Sequence, residues 1–431
     1  MKNSIKYFGL LFLAVFALQV QAQQRDLDNF RPLDKRGINM FEAPKDSIST
    51  FDGVRVRVGG ASTIQFQALD HESSGQFTNS DGNPIGLIEI GSNFNLPTAN
   101  LDLDVALAPG LRMHLRTYLS SRHHPEPYVK DGYIQIDALD FIAPGFMGDL
   151  MDKVTVKIGH MEQNYGDAHF RRTDNAQAIQ NPFVGNLIMD AFTTEVGAEV
   201  YYRSNGFIGM VGATNGKLNQ SVANPSSSGV SWLGKVGYDN FEFVNSDALR
   251  YRLTGSVYHT NQVPNSFLYG ADRAGSRYYL VMEQEGASPV GNFSSGRYNP
   301  GFGNEVTAFM VNPFLKYGGL EFFGTFEIAS GKRSTQSTDR EFTQMAGELI
   351  YRFGQNEDFY VAGRYNTVDG DDVSGVEIDI NRVQISAGWF LTKNILTKIE
   401  YVNQQYDGFR SDSRFHEGQF NGLMVEAAIS F

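Results

Sequence analysis

Residues 421–431, NGLMVEAAISF, decide how the chain is read. Taken back from the end in steps of two, Phe431, Ile429, Ala427, Val425 and Leu423 are all apolar. The positions between them, Ser430, Ala428, Glu426, Met424 and Gly422, are mostly small or polar. A period of two belongs to a β-strand that shows a greasy medium one face and something else the other.

The same alternation runs upstream. Val54, Val56 and Val58 oppose Arg55, Arg57 and Gly59. Leu101, Leu103, Val105 and Leu107 oppose Asp102 and Asp104, and Leu111, Met113 and Leu115 oppose Arg112, His114 and Arg116. Val154, Val156 and Ile158 oppose Lys153 and Lys157. In the second half, Leu249, Tyr251 and Leu253 oppose Arg250 and Arg252, Leu320, Phe322 and Phe326 oppose Glu321 and Glu327, and Val383, Ile385 and Trp389 oppose Arg382, Gln384 and Ser386. Pro109-Gly110, Ser204-Asn205, Gly318-Gly319 and Thr392-Lys393-Asn394 read as hairpin turns. Asn261–Ser276 and Asp369–Asp379 read as longer polar links.

The polar face holds Arg, Lys, Asp and Glu on most strands. Burying such ions dry costs several kcal/mol each. The expectation is that they face water and that lipid covers the apolar face. That arrangement is an all-β, transmembrane antiparallel β-barrel with a water-filled lumen. The strand candidates predict about 16 strands, with 18 as the alternative, since bacterial barrels have even numbers. Composition agrees: 45 Gly, 33 Phe and 20 Tyr stand beside only 14 Pro and 2 Trp, and mean hydropathy is a mild −0.29. A net charge of −12 argues against a nucleic-acid partner.

The N-terminus reads as an export signal. Lys2 and Lys6 precede an apolar run, Tyr7 to Val20, and Val20-Gln21-Ala22 fits a signal-peptidase site. The run is about 14 residues, short of the roughly 20 that a spanning helix needs. Residues 1–22 are therefore expected to be removed. There is no cysteine, so no disulfide contributes to stability outside the cell. Residues 23–50 are polar and aperiodic. They read as a periplasmic or plug-like leader, or as an arm pairing with a neighbouring subunit. The barrel is then 51–431.

One stretch breaks the rhythm. Gly159 to Asp190 is long, polar and aromatic without a strand period. A structureless run of that length in a compact architecture is usually functional. It reads as a constriction loop folded into the barrel near 160–190, or as an external loop packed on itself or on a second subunit.

The residues KVTVKIGHMEQNYGD (153–167), FRRTDN (170–175) and NPFVGN (181–186) resemble the equivalent region of Bacteroidetes outer-membrane porins. The layout is also similar to the phosphate-selective porin superfamily and its dicarboxylate-channel relatives. A strand ending on a terminal Phe looks like the insertion signal of bacterial outer-membrane barrels. The resemblance implies a 16-stranded channel of the bacterial outer membrane, usually a homotrimer, with an inward third loop and basic residues at the eyelet. It implies passive diffusion of small hydrophilic solutes, anionic ones among them.

Arg presents a planar fork to carboxylate or phosphate, and rings of basic side chains favour anions. The candidates for constriction and selectivity are Arg171 and Arg172 in the loop, Arg55, Arg57, Arg112 and Arg116 on early strands, and Lys153 and Lys157 beside the loop. Asp102, Asp104, Glu195 and Glu199 share the polar face, so a field across the pore is an equal reading. No cofactor is expected. His123, His124, His160 and His169 lack metal-ligand spacing, and no nucleophile–base pattern marks an enzyme. A barrel lipase or protease and a structural or adhesive barrel are the alternatives. An energised transporter needs about 22 strands and a far larger plug.

Overall fold

The computed structural model describes residues 26–431 except 122–123, 176, 217–228, 245–247, 262, 264, 271–273 and 275, and leaves out the side chains of 124–125. The export signal read over 1–22 lies outside the described residues, as do His123 and the His124 side chain.

Alternation becomes strand wherever it was read. The first half contains β1 (Arg55–Glu72), β2 (Asn93–Ala108), β3 (Leu111–Ser120), β4 (His124–Ile136), β5 (Val154–Glu162), β6 (Thr194–Ser204), β7 (Phe207–Thr214) and β8 (Ser231–Asp239). The second contains β9 (Arg250–Thr260), β10 (Glu305–Tyr317), β11 (Leu320–Lys332), β12 (Arg340–Phe353), β13 (Phe359–Asp371), β14 (Glu377–Thr392), β15 (Ile395–Asp407) and β16 (Gly418–Ser430). Each strand pairs with its neighbours in sequence, and β1 closes the ring on β16 with Ala61 opposite Ser430 and Glu72 opposite Gln419. Every pairing is antiparallel, so the sheet is a closed 16-stranded barrel without a free edge.

One end carries tight turns. At Asn205-Gly206 both residues are left-handed, which suits the twist of a two-residue hairpin. The other end carries most of the long connections, and here the sequence reading needs correction. The link read at Asn261–Ser276 extends over 261–304, between β9 and β10. The link read at Asp369–Asp379 shrinks to 372–376, because β13 and β14 continue past the apolar region. The aperiodic loop starts at Gln163, since β5 runs on to Glu162.

The outer face is apolar. Val56, Ile64, Leu101, Leu253, Ile385, Ile399 and Val425 are exposed, while their inward neighbours are buried. Towards the turn end Tyr351, Phe353, Phe359 and Trp389 form an exposed row, with successive ring centroids 6.0, 5.7 and 5.7 Å apart. Such a girdle marks the level where hydrocarbon gives way to headgroups. Ile399 sits near mid-strand, between Ala387 and Val425 on the same outer face. Ile399→Arg is expected to destabilise the inserted barrel by about 2–4 kcal/mol, the range for a cation at the bilayer midplane. Denaturant titration of the vesicle-inserted protein reads this, and a wild-type midpoint would mean that Ile399 does not contact lipid.

The inward charges do not stand in open water, contrary to the sequence reading. Asp102, Asp104, Glu321 and Glu426 are fully buried, and Arg57, Arg112, Arg116 and Arg252 nearly so. The chain's own leader and two of its loops lie against them. Pairing offsets the desolvation that made dry burial look prohibitive.

Candidate functional site

Loop 163–193 has irregular backbone inside a barrel, so its amides and carbonyls need partners other than a ladder. The wall of β12–β15 supplies them. Lys398 Nζ donates to the carbonyls of Ala178, Asn181 and Phe183 at 3.0, 3.2 and 2.9 Å. Arg364 Nη1 donates to the Gly185 carbonyl at 2.9 Å and Arg382 Nη1 to that of Asn186 at 2.6 Å. In the other sense, the amides of Val184, Ile188 and Met189 donate to Glu400, Asn366 and Gln344. These wall residues are therefore anchors for a loop. At Gly166 (φ +70°) the loop presses against β10, where a Cβ would collide with Met310 Sδ.

Loop 261–304 is a second internal segment. Gln67 exchanges a reciprocal pair with the Tyr279 backbone, at 2.9 and 2.7 Å. Arg277 is fully buried and donates to Thr63 and to the Thr173 carbonyl of the first loop, 3.0 Å each. Sequence reasoning missed this segment. Its only signal was the run Arg277-Tyr278-Tyr279 in a long stretch without period.

The leader enters from the turn end. Lys45 Nζ donates to the Asp137 and Val154 carbonyls at 2.9 and 2.7 Å, and the Lys35 amide to Lys393 at 2.8 Å. Further in, Arg31 donates to Gln177 and to the Phe170 carbonyl, at 2.9 and 3.0 Å. Asn39 bridges Glu321 and Arg171, and Glu42 pairs with Arg252. Burial works to raise the Glu42 carboxyl, and the Arg252 guanidinium outweighs it, holding the group below the usual carboxylate range.

Between leader, loop and the β2–β6 wall lies a cavity of about 150 Å³. Arg112, Arg116 and Lys157 line it from the wall, Glu162 and His169 from the loop side, and Phe30 and Phe41 from the leader. Arg116 forks onto Asp102 with two 2.7 Å bonds and reaches Asp131 at 3.2 Å, and Arg112 pairs with Asp104 at 2.6 Å. The Lys157 ammonium stands between the rings of Tyr133 and Tyr201, 5.4 and 5.2 Å from their centroids, and makes no ion pair among the described residues. A second cavity of about 320 Å³ opens at the turn end, between the leader and Arg250, Lys316 and Arg352.

No family model matches the chain, and no curated protein does. Solved structures do. The outer-membrane channel DcaP of Acinetobacter baumannii is similar with a TM-score of 0.54 at 13% identity, over 89% of this chain and 99% of that one. An anion-selective porin from Comamonas acidovorans aligns with a TM-score of 0.52 at 12% identity, over 88% of this chain and all of the other. OmpT of Vibrio cholerae, an outer-membrane protein, aligns with a TM-score of 0.52 at 10% identity, over 89% of this chain and all of its own. The chain has a porin fold.

Within that porin fold the eight residues singled out in the sequence do not form one ring. Arg171 reaches across the lumen to Asn39 at 2.7 Å and Glu348 at 3.4 Å. Arg172 pairs inside its own loop, with Asp190 at 2.6 Å. Arg57 lies over the Phe30 ring, 4.5 Å from its centroid, with Asp104 at 3.8 Å. Arg112, Arg116 and Lys157 share the cavity wall. Arg55 is at the barrel mouth beside Asp52 and Thr50, not at a constriction. Lys153 is exposed in the turn before β5, not on the lumen wall, because the strand starts one residue later. Loop acids face cations of the wall: Asp167 meets Lys235 of β8 and Arg252 of β9, and Asp174 meets Lys130 of β4.

Proposed function

We propose that this chain is a passive diffusion channel of the bacterial outer membrane for small hydrophilic solutes, anionic ones among them. One observation carries the reading: a closed barrel, apolar outside and charged inside, has an internal loop drawn across its lumen to face a wall of Arg and Lys. A sheet inverted in this way is built for lipid outside and polar traffic inside. The likeness to porins at 10–13% identity supports the fold of such a channel. A place near the phosphate-selective and dicarboxylate channels rests on the 153–186 segment and belongs to the same reading. So does a homotrimer, for which the mass of the detergent-solubilised protein is the test.

The purified mature chain in planar bilayers, under a salt gradient, tests the proposal. Discrete conductance steps with an anion-side reversal potential are expected. A folded, inserted protein that never conducts would overturn it. Within the same experiment, replacing Arg171 and Arg172 together with Ala is expected to move the reversal potential towards cation preference. An unchanged potential would remove both from the selective region.

A further inference from the structure

The leader places Phe41-Glu42 in a pocket whose walls are other parts of the molecule. Among the described leader carboxylates, Asp26, Asp28 and Asp46 are bonded within the leader. Glu42 instead lies in the fork of Arg252, with both carboxylate oxygens at 2.8 Å from the two terminal nitrogens. The other edge of that guanidinium is held by Asp167, at 2.8 and 2.9 Å, and Lys235 backs Asp167 at 3.0 Å. Arg252 is thus fixed in place whether or not Glu42 is there.

Phe41 fills the adjoining space. Its ring meets Phe314 and Phe170 edge-on, with centroids 5.4 and 5.9 Å away, and stacks on Phe323 at 6.4 Å. Arg252 covers it, 4.3 Å from the centroid. Phe41 and Glu42 also border the 150 Å³ cavity, so the pocket joins the internal space of the barrel. An aromatic cage beside a preset arginine fork recognises a ring carried close to a carboxylate. The walls come from β8, β9, β10, β11 and loop 163–193, all outside the leader.

We infer that Phe41-Glu42 is a tethered occupant of a lumen subsite for aromatic carboxylates, and that a free solute of this class competes with the leader for it. This rests on the channel reading above and adds the solute class. Without Glu42, Arg252 keeps Asp167, shared with Lys235, and Asp239, shared with Arg250, so among the described residues of this cluster three cations meet two carboxylates, while Arg171 over Phe314 and Phe323 has its own acids in Glu321 and Glu348. The pocket then has a positive excess that a carboxylate neutralises.

The test uses the mature chain and its Phe41→Ala/Glu42→Ala variant, with 3-phenylpropionate as probe and acetate and 3-phenylpropionamide as controls. In bilayers, 3-phenylpropionate is expected to block current through the variant at a concentration at least tenfold below that needed for wild type, with both controls weaker. Calorimetry in detergent should show the same order of binding. Should the double variant fail to fold, Glu42→Gln keeps the shape and removes the charge, and tighter probe binding than wild type is still expected. Equal block of wild type and variant, or block by acetate as strong as by 3-phenylpropionate, overturns the subsite. A variant that conducts but binds no probe also overturns it while leaving the channel intact. Absence of conductance in both proteins defeats the channel reading instead, and calorimetry then decides the subsite on its own.

Discussion

Deletion of residues 26–50 is expected to raise the single-channel conductance several-fold. The leader fills the lumen from the turn end up to loop 163–193, with Phe41 packed among Phe170, Phe314 and Phe323 and its polar groups bonded to opposite walls. The barrel is expected to tolerate its loss, because the leader's buried charged partners on β9 and β11 keep others. Arg252 retains Asp167, Glu321 retains Arg352 at 2.6 Å, and Arg250 retains Asp239 at 2.7 Å. Few ladder hydrogen bonds of the sheet are touched. Bilayer recordings of the truncated protein measure the step size directly. A step equal to that of the full mature chain would mean that the leader is already outside the lumen when the channel conducts, and the plug reading would fall.

Glu426→Ala is expected to cost about 3–5 kcal/mol, the range for breaking a buried ion pair by removing one partner. Glu426 is the one charge in the strand that fixed the reading of the fold. It is fully buried, 2.8 Å from Lys398 and 3.8 Å from Arg277. Lys398 holds three carbonyls of loop 163–193, and Arg277 belongs to loop 261–304, so one carboxylate ties both internal loops to the wall. Its removal leaves two buried cations facing each other. Adding Lys398→Met removes one of the two cations and with it the three carbonyl contacts, so the double variant is expected to lose less than the sum of the two single variants. Unfolding followed by the fluorescence of Trp232 and Trp389 gives both numbers. A single variant as stable as wild type would show that Glu426 does not anchor the loops.

The barrel was legible because lipid enforces a rule at every second residue. Leu423, Val425 and Ile429 are exposed on the outer face while Met424, Glu426 and Ala428 are buried between them. Where that pressure ends, the signal ends. Asp369, Asp371, Glu377 and Asp379 are strand residues beyond the greasy belt, polar where the alternation calls for apolar ones, so the sequence reads them as loop. The pairing of charges was illegible for another reason. Sequence parity places Arg116 and Asp102 on one face, but only the register of β2 against β3 sets them opposite each other. Loop 163–193 announced itself by lack of period. Nothing in 261–304 distinguished a segment that turns inward from one that stays outside, because the wall residues that hold it, Gln65, Gln67 and Thr63, look like any other polar lumen residues.

The leader's partners are scattered round the whole cylinder: Asp137 follows β4, Gln177 is in the first internal loop, Arg252 is on β9, Glu321 on β11 and Asp358 just before β13. No hairpin or half-built sheet presents that set. Residues 26–50 precede every strand in the chain, yet they have nowhere to dock until the ring has closed. Docking of the leader is thus expected to follow closure of the ring, as a final step of assembly.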